Sequence, residues 1–322
     1  MNRKVLASSV AAAIVALSIV PPAVKLDEGF LPPNDMSIPV NSLEAKGITE
    51  KQFNDVLDQI QALYGPVVEA LDGTLVIKRH WENSLVNAYA ERIGSFYIIH
   101  MYGGLARHES VTQDGMALVA CHELGHHIGG APKRWENDWA SIEGQSDYFA
   151  NLKCLRRVFA SSGAASFTRL AGQEDLARAA CQKSHSQQAD QDICVRASMA
   201  GMSVTTLMQI RRNETVRPRF DTPDTSAVSE TFYSHPTTQC RLDTYFAGSL
   251  CARPAGDGLS DKDPAPGTCT QSGGYRVGLR PRCWYKPPAG EPDNLAEVAS
   301  RPARKASELV SILNQANPWK GF

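Results

Sequence analysis

The sequence predicts an α+β fold, mostly helical, with a small sheet beside one central helix. Three observations carry that expectation. Cys121-His122-Glu123-Leu124-Gly125-His126-His127 lies inside an amphipathic helical run, residues 74–78 and 96–101 read as strands, and residues 151–250 follow a helical pattern. At 322 residues and 43% hydrophobic content the chain can bury a full core, enough for one main domain and a smaller appendage. A net charge of −1 gives no reason to expect nucleic acid or an anionic membrane surface as a partner.

Taken in order, the chain opens with Asn2-Arg3-Lys4 and an apolar run from Val5 to Val20, then Pro21-Pro22. A membrane-crossing helix needs about 20 apolar residues. This run is shorter and fits the core of an export signal. Residues 1–23 therefore read as a signal peptide, or as an uncleaved anchor, with no stable membrane span expected after cleavage. Residues 24–73 form an N-terminal segment, extended around Pro32-Pro33. Thr49-Glu50-Lys51-Gln52 is a capping box, and Phe53, Val56, Leu57, Ile60 and Leu63 mark one apolar helix face that Gly65-Pro66 is expected to end. Residues 74–250 form the main domain. Its first strand runs from Thr74 to Lys78, and its helical part contains an apolar stretch over 193–210 that reads as core. Residues 251–322 cluster Gly, Pro and Cys, as a disulfide-tied loop or hairpin would, and Ala303 to Gln315 reads as a final helix.

Eight cysteines behind an export signal predict disulfides and a periplasmic or secreted address. Cys240 and Cys251 fall on or just past one helix, roughly 16 Å apart, too far to pair with each other. Cys269 and Cys283 flank Gly273-Gly274 and could close a hairpin, and Cys181 and Cys194 could clip a helix–loop–helix. Cys121 points about 100° around the helix from His122. A bridge to Cys154 or a buried thiol fits it better than a metal ligand.

The motif with the most chemistry is HEXXH. Positions four apart share a helix face, so His122 and His126 present two imidazoles to one point, a spacing that suits zinc. Glu123 can reach a zinc-activated water without occupying the metal. A five-letter pattern also arises by chance on surface helices. What lifts it is Glu143-Gly144-Gln145-Ser146-Asp147, where Glu143 can close the ligand set and Asp147, one turn on, can accept the outer N–H of a ligand histidine. His127 lies on a different face and is a poor fourth ligand. The expected cofactor is one Zn2+ per chain.

These motifs resemble the gluzincin peptidases that include HtpX, the CAAX prenyl proteases and the periplasmic outer-membrane-assembly proteases. Val86-Asn87-Ala88-Tyr89-Ala90 is similar to the family's Asn-Ala-aromatic-Ala segment. Phe96-Tyr97-Ile98-Ile99-His100-Met101 followed by Gly103-Gly104-Leu105 is similar to its strand and Gly-Leu, and Asp114 precedes the metal helix as an acidic residue does there. Tyr233-Ser234-His235-Pro236 with Arg241-Leu242 resembles its Ser/Thr-His-Pro…Arg-Leu motif. The likeness spans roughly residues 74–250. It implies a zincin-like fold, Glu123 as general base, His235 as oxyanion stabiliser or latency switch, and Arg241 assisting His235 or orienting its segment. Unlike HtpX and the prenyl proteases, this chain has no membrane spans around the motifs.

The function so implied is an exported zinc endopeptidase acting on protein or peptide substrates. The substrate backbone would add as a strand to an exposed sheet edge. The candidate is Phe96, Tyr97, Ile98, Ile99, His100 and Met101, unless that strand is interior. The alternative is a zinc-stabilised latent or non-catalytic scaffold that binds unfolded or envelope proteins. A purely structural zinc site would want four protein ligands.

Overall fold

The structure, a computed structural model, describes residues 24–25, 29–135, 138–162 and 172–291. The expected signal run and the helix expected over Ala303 to Gln315 lie outside the described residues. The fold is α+β, with a small mixed sheet packed against helices.

Helix α1 (Glu50–Glu69) starts at the expected capping box: Thr49 accepts from the Gln52 backbone N–H, and the Gln52 side chain returns a bond to the Thr49 N–H. It runs past Gly65-Pro66 instead of stopping there. Proline removes one intrahelical bond, but the extra turn buries Val68 completely, and Gly73 ends the run by donating to the Val68 carbonyl. Strands β2 (Thr74–His80), β3 (Ala88–Ile93) and β4 (Phe96–Tyr102) follow. The sheet order is β1-β3-β4-β2, where β1 is the short piece Val24–Lys25. β3 and β4 form an antiparallel hairpin, and β2 lies parallel to β4 with Thr74 opposite Phe96.

This order corrects the substrate-strand expectation. Phe96–Met101 sit in the centre of the sheet, bonded to β3 on one side and β2 on the other, so no further strand can add to β4. The edge beside the helix that carries HEXXH belongs to β3, where β1 pairs antiparallel, Val24 opposite Arg92.

A short α2 (Gly103–Arg107) leads to α3 (Gln113–Ile128), capped by Thr112 and buried on nearly every face. Asp114 in its first turn takes two bonds from Arg196, each 2.8 Å, tying α3 to the long core helix α7 (Gln188–Arg211). α7 is long and apolar enough to cross a membrane, yet most of its apolar stretch is buried inside the domain. α4 (Glu143–Phe149) passes through a single π-turn, Ala150–Cys154, into α5 (Leu155–Ser161); α6 (Gln173–Ser184) and α8 (Thr238–Leu250) complete the helices.

All eight cysteines are paired: Cys121–Cys154, Cys181–Cys194, Cys240–Cys283 and Cys251–Cys269. The first two pairs match expectation, and Cys240 and Cys251 do not join each other. The hairpin clip does not form. Cys269 and Cys283 instead reach the two ends of α8, so residues 252–291 are pinned along that helix without helix or strand of their own. Trp284 from this stretch is fully buried and donates its indole N–H to Thr244 Oγ1 at 2.9 Å. Four disulfides belong to an oxidising compartment.

Candidate metal centre

α3 and α4 lie against each other because Gly125, between the two histidines, has no side chain. A Cβ there would sit 3.0 Å from both the Phe149 ring and the Ser146 backbone. This close approach brings Glu143 under His122 and His126. His122 Nε2 and His126 Nε2 are 3.1 Å apart, and Glu143 oxygens lie 3.3 Å from the first and 3.5 Å from the second.

Without a metal, a protonated His122 can bridge to Glu143 and His126; with one, the same three atoms can all act as ligands. His126 Nδ1 is 2.8 Å from the Ser141 carbonyl oxygen, which only accepts, so the proton sits on Nδ1 and Nε2 carries a lone pair. His122 Nδ1 faces Asp147 Oδ1 at 2.7 Å, with the same consequence when the ring is neutral. Two lone pairs and a carboxylate then point at one spot. Ligand atoms across a tetrahedral site with bonds of about 2.0–2.1 Å are separated by about 3.3 Å, close to the spacings here. His122, His126 and Glu143 therefore fit a metal ion, all of them buried. Among the described residues a second grouping, Asp224 with Cys240 and Cys283, has both its sulfurs in a disulfide.

The charges around this spot are arranged in depth. Burial disfavours the imidazolium of His122, but Asp147 and Glu143 outweigh it and raise its pKa to about 9. Burial dominates at His126 and lowers it to about 4. Glu143 is held ionised well below the usual carboxylate range: burial opposes this, and His235, His122 and His126 overcome it. Glu123 shows the reverse. It is fully buried, neither carboxyl oxygen has a hydrogen-bond partner among the described residues, and burial raises its pKa to about 8. An orphaned buried carboxyl is costly, and it is what a site needs if the group must meet a water or substrate atom.

Behind His122, Asp147 is clamped. Arg241 donates to both its oxygens at 2.7 Å and Tyr245 donates at 2.6 Å. Arg241 thus reaches Asp147, with Glu143 at 3.9 Å, and acts on the centre as a positioning residue through that carboxylate. His235 does stand at the centre, its Nε2 3.3 Å from Glu143 and 2.8 Å from the Gly29 carbonyl, to which it donates. His127 points away, its Nε2 bonded to the Ile98 carbonyl at 3.0 Å, so it locks α3 to β4. Trp139 stacks on it, while Trp135 is exposed.

Three contributors escape sequence reasoning. Tyr245 lies one turn after Arg241 on α8, a spacing that could have pointed to it. The Ser141 carbonyl leaves no trace in residue type. Gly29 and Phe30, more than two hundred positions before Arg241, abut the centre: the Phe30 ring meets His122 edge-on at 5.1 Å and lies 4.7 Å from the Arg241 guanidinium carbon. No protein-family profile, curated protein or solved structure matches the chain.

Proposed function

We propose that the chain is an exported zinc endopeptidase with a gluzincin ligand set. The observation that carries this is the convergence of His122 Nε2, His126 Nε2 and a Glu143 oxygen on one spot, beside the unpartnered carboxyl of Glu123. Two imidazoles and one carboxylate leave a fourth position open, the pattern of a catalytic rather than a structural zinc site. Zinc held there supplies Lewis acidity, polarising a peptide carbonyl and lowering the pKa of water toward neutrality.

The chain's own groups supply the rest. Glu123 takes a proton from the attacking water as the new C–O bond forms, then gives it to the amine as the C–N bond breaks. Burial raises its pKa to about 8 in the metal-free chain, and a dication beside it would bring that down toward neutrality, where one group can do both. His235 donates its Nε2 proton to the oxygen that gains charge in the transition state. Asp147, held by Arg241 and Tyr245, keeps His122 in the ligating tautomer. The four disulfides support a periplasmic or secreted location.

The test is cleavage of an unfolded-protein peptide mixture, followed by mass spectrometry, alongside zinc stoichiometry. Glu123→Gln should retain one zinc per chain and lose about 10²–10⁴-fold in turnover. His122→Ala should lose the metal. Equal turnover by Glu123→Gln and the parent would remove Glu123 from the reaction and overturn the assignment.

A further inference from the structure

The centre is closed: His122 and Glu123 are 0% exposed, His126 2% and Glu143 6%. The chain's own segment at Gly29–Leu31 lies against it, Phe30 on His122 and the Gly29 carbonyl on His235. It is bonded to the start of β3, the Phe30 N–H donating to the Ala88 carbonyl at 2.8 Å. Asn87 at the start of β3 clamps it further, accepting from the Leu31 N–H and donating to the Leu31 carbonyl, both at 2.9 Å. Two carbonyls of the segment are taken by His235, on Gly29, and by Arg241, on Phe30, each at 2.8 Å. A backbone N–H bonded to a strand edge, one carbonyl on the proposed oxyanion donor and an apolar ring against a ligand histidine are contacts that a peptide substrate could also make, although the segment itself bends at Phe30 and Leu31.

We propose that Gly29–Leu31 is a built-in occupant of the substrate cleft, a strap that holds the centre latent until it lifts from β3. The same β3 edge, His235 donor and Phe30 seat would then receive an extended polypeptide bearing a large apolar side chain. This inference rests on the peptidase reading for its substrate, though not for its geometry. Gly29 is the strap's weak point. A Cβ there would stand 2.3 Å from the Ala88 carbonyl oxygen and 2.9 Å from Asn87 Oδ1, so only glycine lies this close to the strand.

Gly29→Val should therefore lift the strap, and Asn87→Ala should loosen it by removing the Leu31 clamp, with the full chain and all disulfides in place. Two readouts separate the strap from the chemistry. The first is the rate at which 4-(2-pyridylazo)resorcinol extracts zinc, and the second is cleavage of fluorescein-labelled casein. Both should rise at least about tenfold in either variant, as expected when a closed state outweighs an open one by that ratio or more. Adding Glu123→Gln should abolish the cleavage and leave the fast extraction. Faster extraction with no cleavage in any form would uphold the strap and sink the peptidase reading. Parent-like extraction and cleavage in either folded variant would overturn the strap. So would loss of folding in both, since Gly29–Leu31 would then be an integral part of the core.

Discussion

Replacing Asp147 by Asn is the sharpest probe of how the candidate metal centre is held. Asp147 is fully buried, as is Arg241 at 1% exposure. Its Oδ1 faces three donors: Arg241 Nη2 at 2.7 Å, the Tyr245 hydroxyl at 2.6 Å and His122 Nδ1 at 2.7 Å. Oδ2 faces Arg241 Nε at 2.7 Å. An amide best keeps its oxygen on the three-donor side, which turns its NH2 against the Nε–H of Arg241. That leaves a buried guanidinium facing a donor, with Glu143, 3.9 Å away, as its remaining carboxylate neighbour. Breaking one member of a buried pair costs about 3–5 kcal/mol. Losing the carboxylate behind a ligand histidine lowers metal affinity about 10–100-fold, or about 1.4–2.7 kcal/mol. Urea unfolding in chelator measures the first cost, and zinc competition against a chromophoric chelator measures the second. Arg241→Met and the double variant complete the cycle: removing both charges should cost less than the sum of the singles by about 1–3 kcal/mol. Strict additivity, or an Asp147→Asn protein within about 1 kcal/mol of the parent and equal to it in zinc affinity, would refute the clamp.

Two further predictions follow from the same region. With the metal stripped by chelator, stability should fall as pH rises from 6.5 to 9, because His122 keeps its proton in the folded chain to about 9 but in the unfolded chain only to about 6.5. Its contribution is complete below 6.5 and gone above about 9, with a slope of at most about 1.4 kcal/mol per pH unit. Glu123 adds to the loss up to about 8, since the unfolded carboxyl has already ionised. His80, His108, His126, His127 and His185 are shifted the other way and offset the fall near pH 6.5. The slope is therefore read above about 7.5, where their unfolded rings are already neutral; urea midpoints that rise there would contradict the charge assignments. Zinc loading near pH 7 should release the His122 proton, read by calorimetry in buffers of different protonation enthalpy. Separately, Cys121→Ser with Cys154→Ser opens a link across 33 residues, which the loop-entropy relation puts at about 3–4 kcal/mol. Because Cys121 immediately precedes His122, zinc affinity should fall as well. A cost under about 1 kcal/mol with unchanged affinity would mean that packing alone fixes α3 to the π-turn.

The parts of the site legible in sequence are those fixed by one helix at a time. His122 and His126 share a face because helical geometry puts positions four apart there, and Glu143 and Asp147 repeat that spacing on α4, one toward the metal spot and one behind His122. Cys181–Cys194, 13 positions apart, is readable for a different but equally local reason: a short connection folds α6 back against α7. Sheet order was not. Residues 96–101 announce a strand through their side chains, but whether that strand is central depends on β2 returning parallel on its far side, which no residue of β4 encodes. The bonds from Cys269 and Cys283 to α8 likewise depend on where an irregular segment lies, and the nearby Gly273-Gly274 pair pointed to a hairpin that the longer-range closures replace.

Access to the centre belongs to this second, tertiary class. HEXXH and ExxxD specify which atoms meet; they say nothing about what stands in front of them. Here that is settled by a glycine whose only distinguishing property is a missing Cβ, 2.3 Å from where a distant strand places a carbonyl oxygen. It is settled also by an asparagine, Asn87, that reads in sequence as part of a strand motif and acts in the fold as a clamp on Leu31. Arg241 joins the two levels, fixing Asp147 behind His122 with one edge of its guanidinium and holding the Phe30 carbonyl with another nitrogen. Ligand geometry and closure of the cleft therefore share a residue. A substitution at Arg241 should disturb both together, whereas one at Gly29 should change access and leave the ligand set alone.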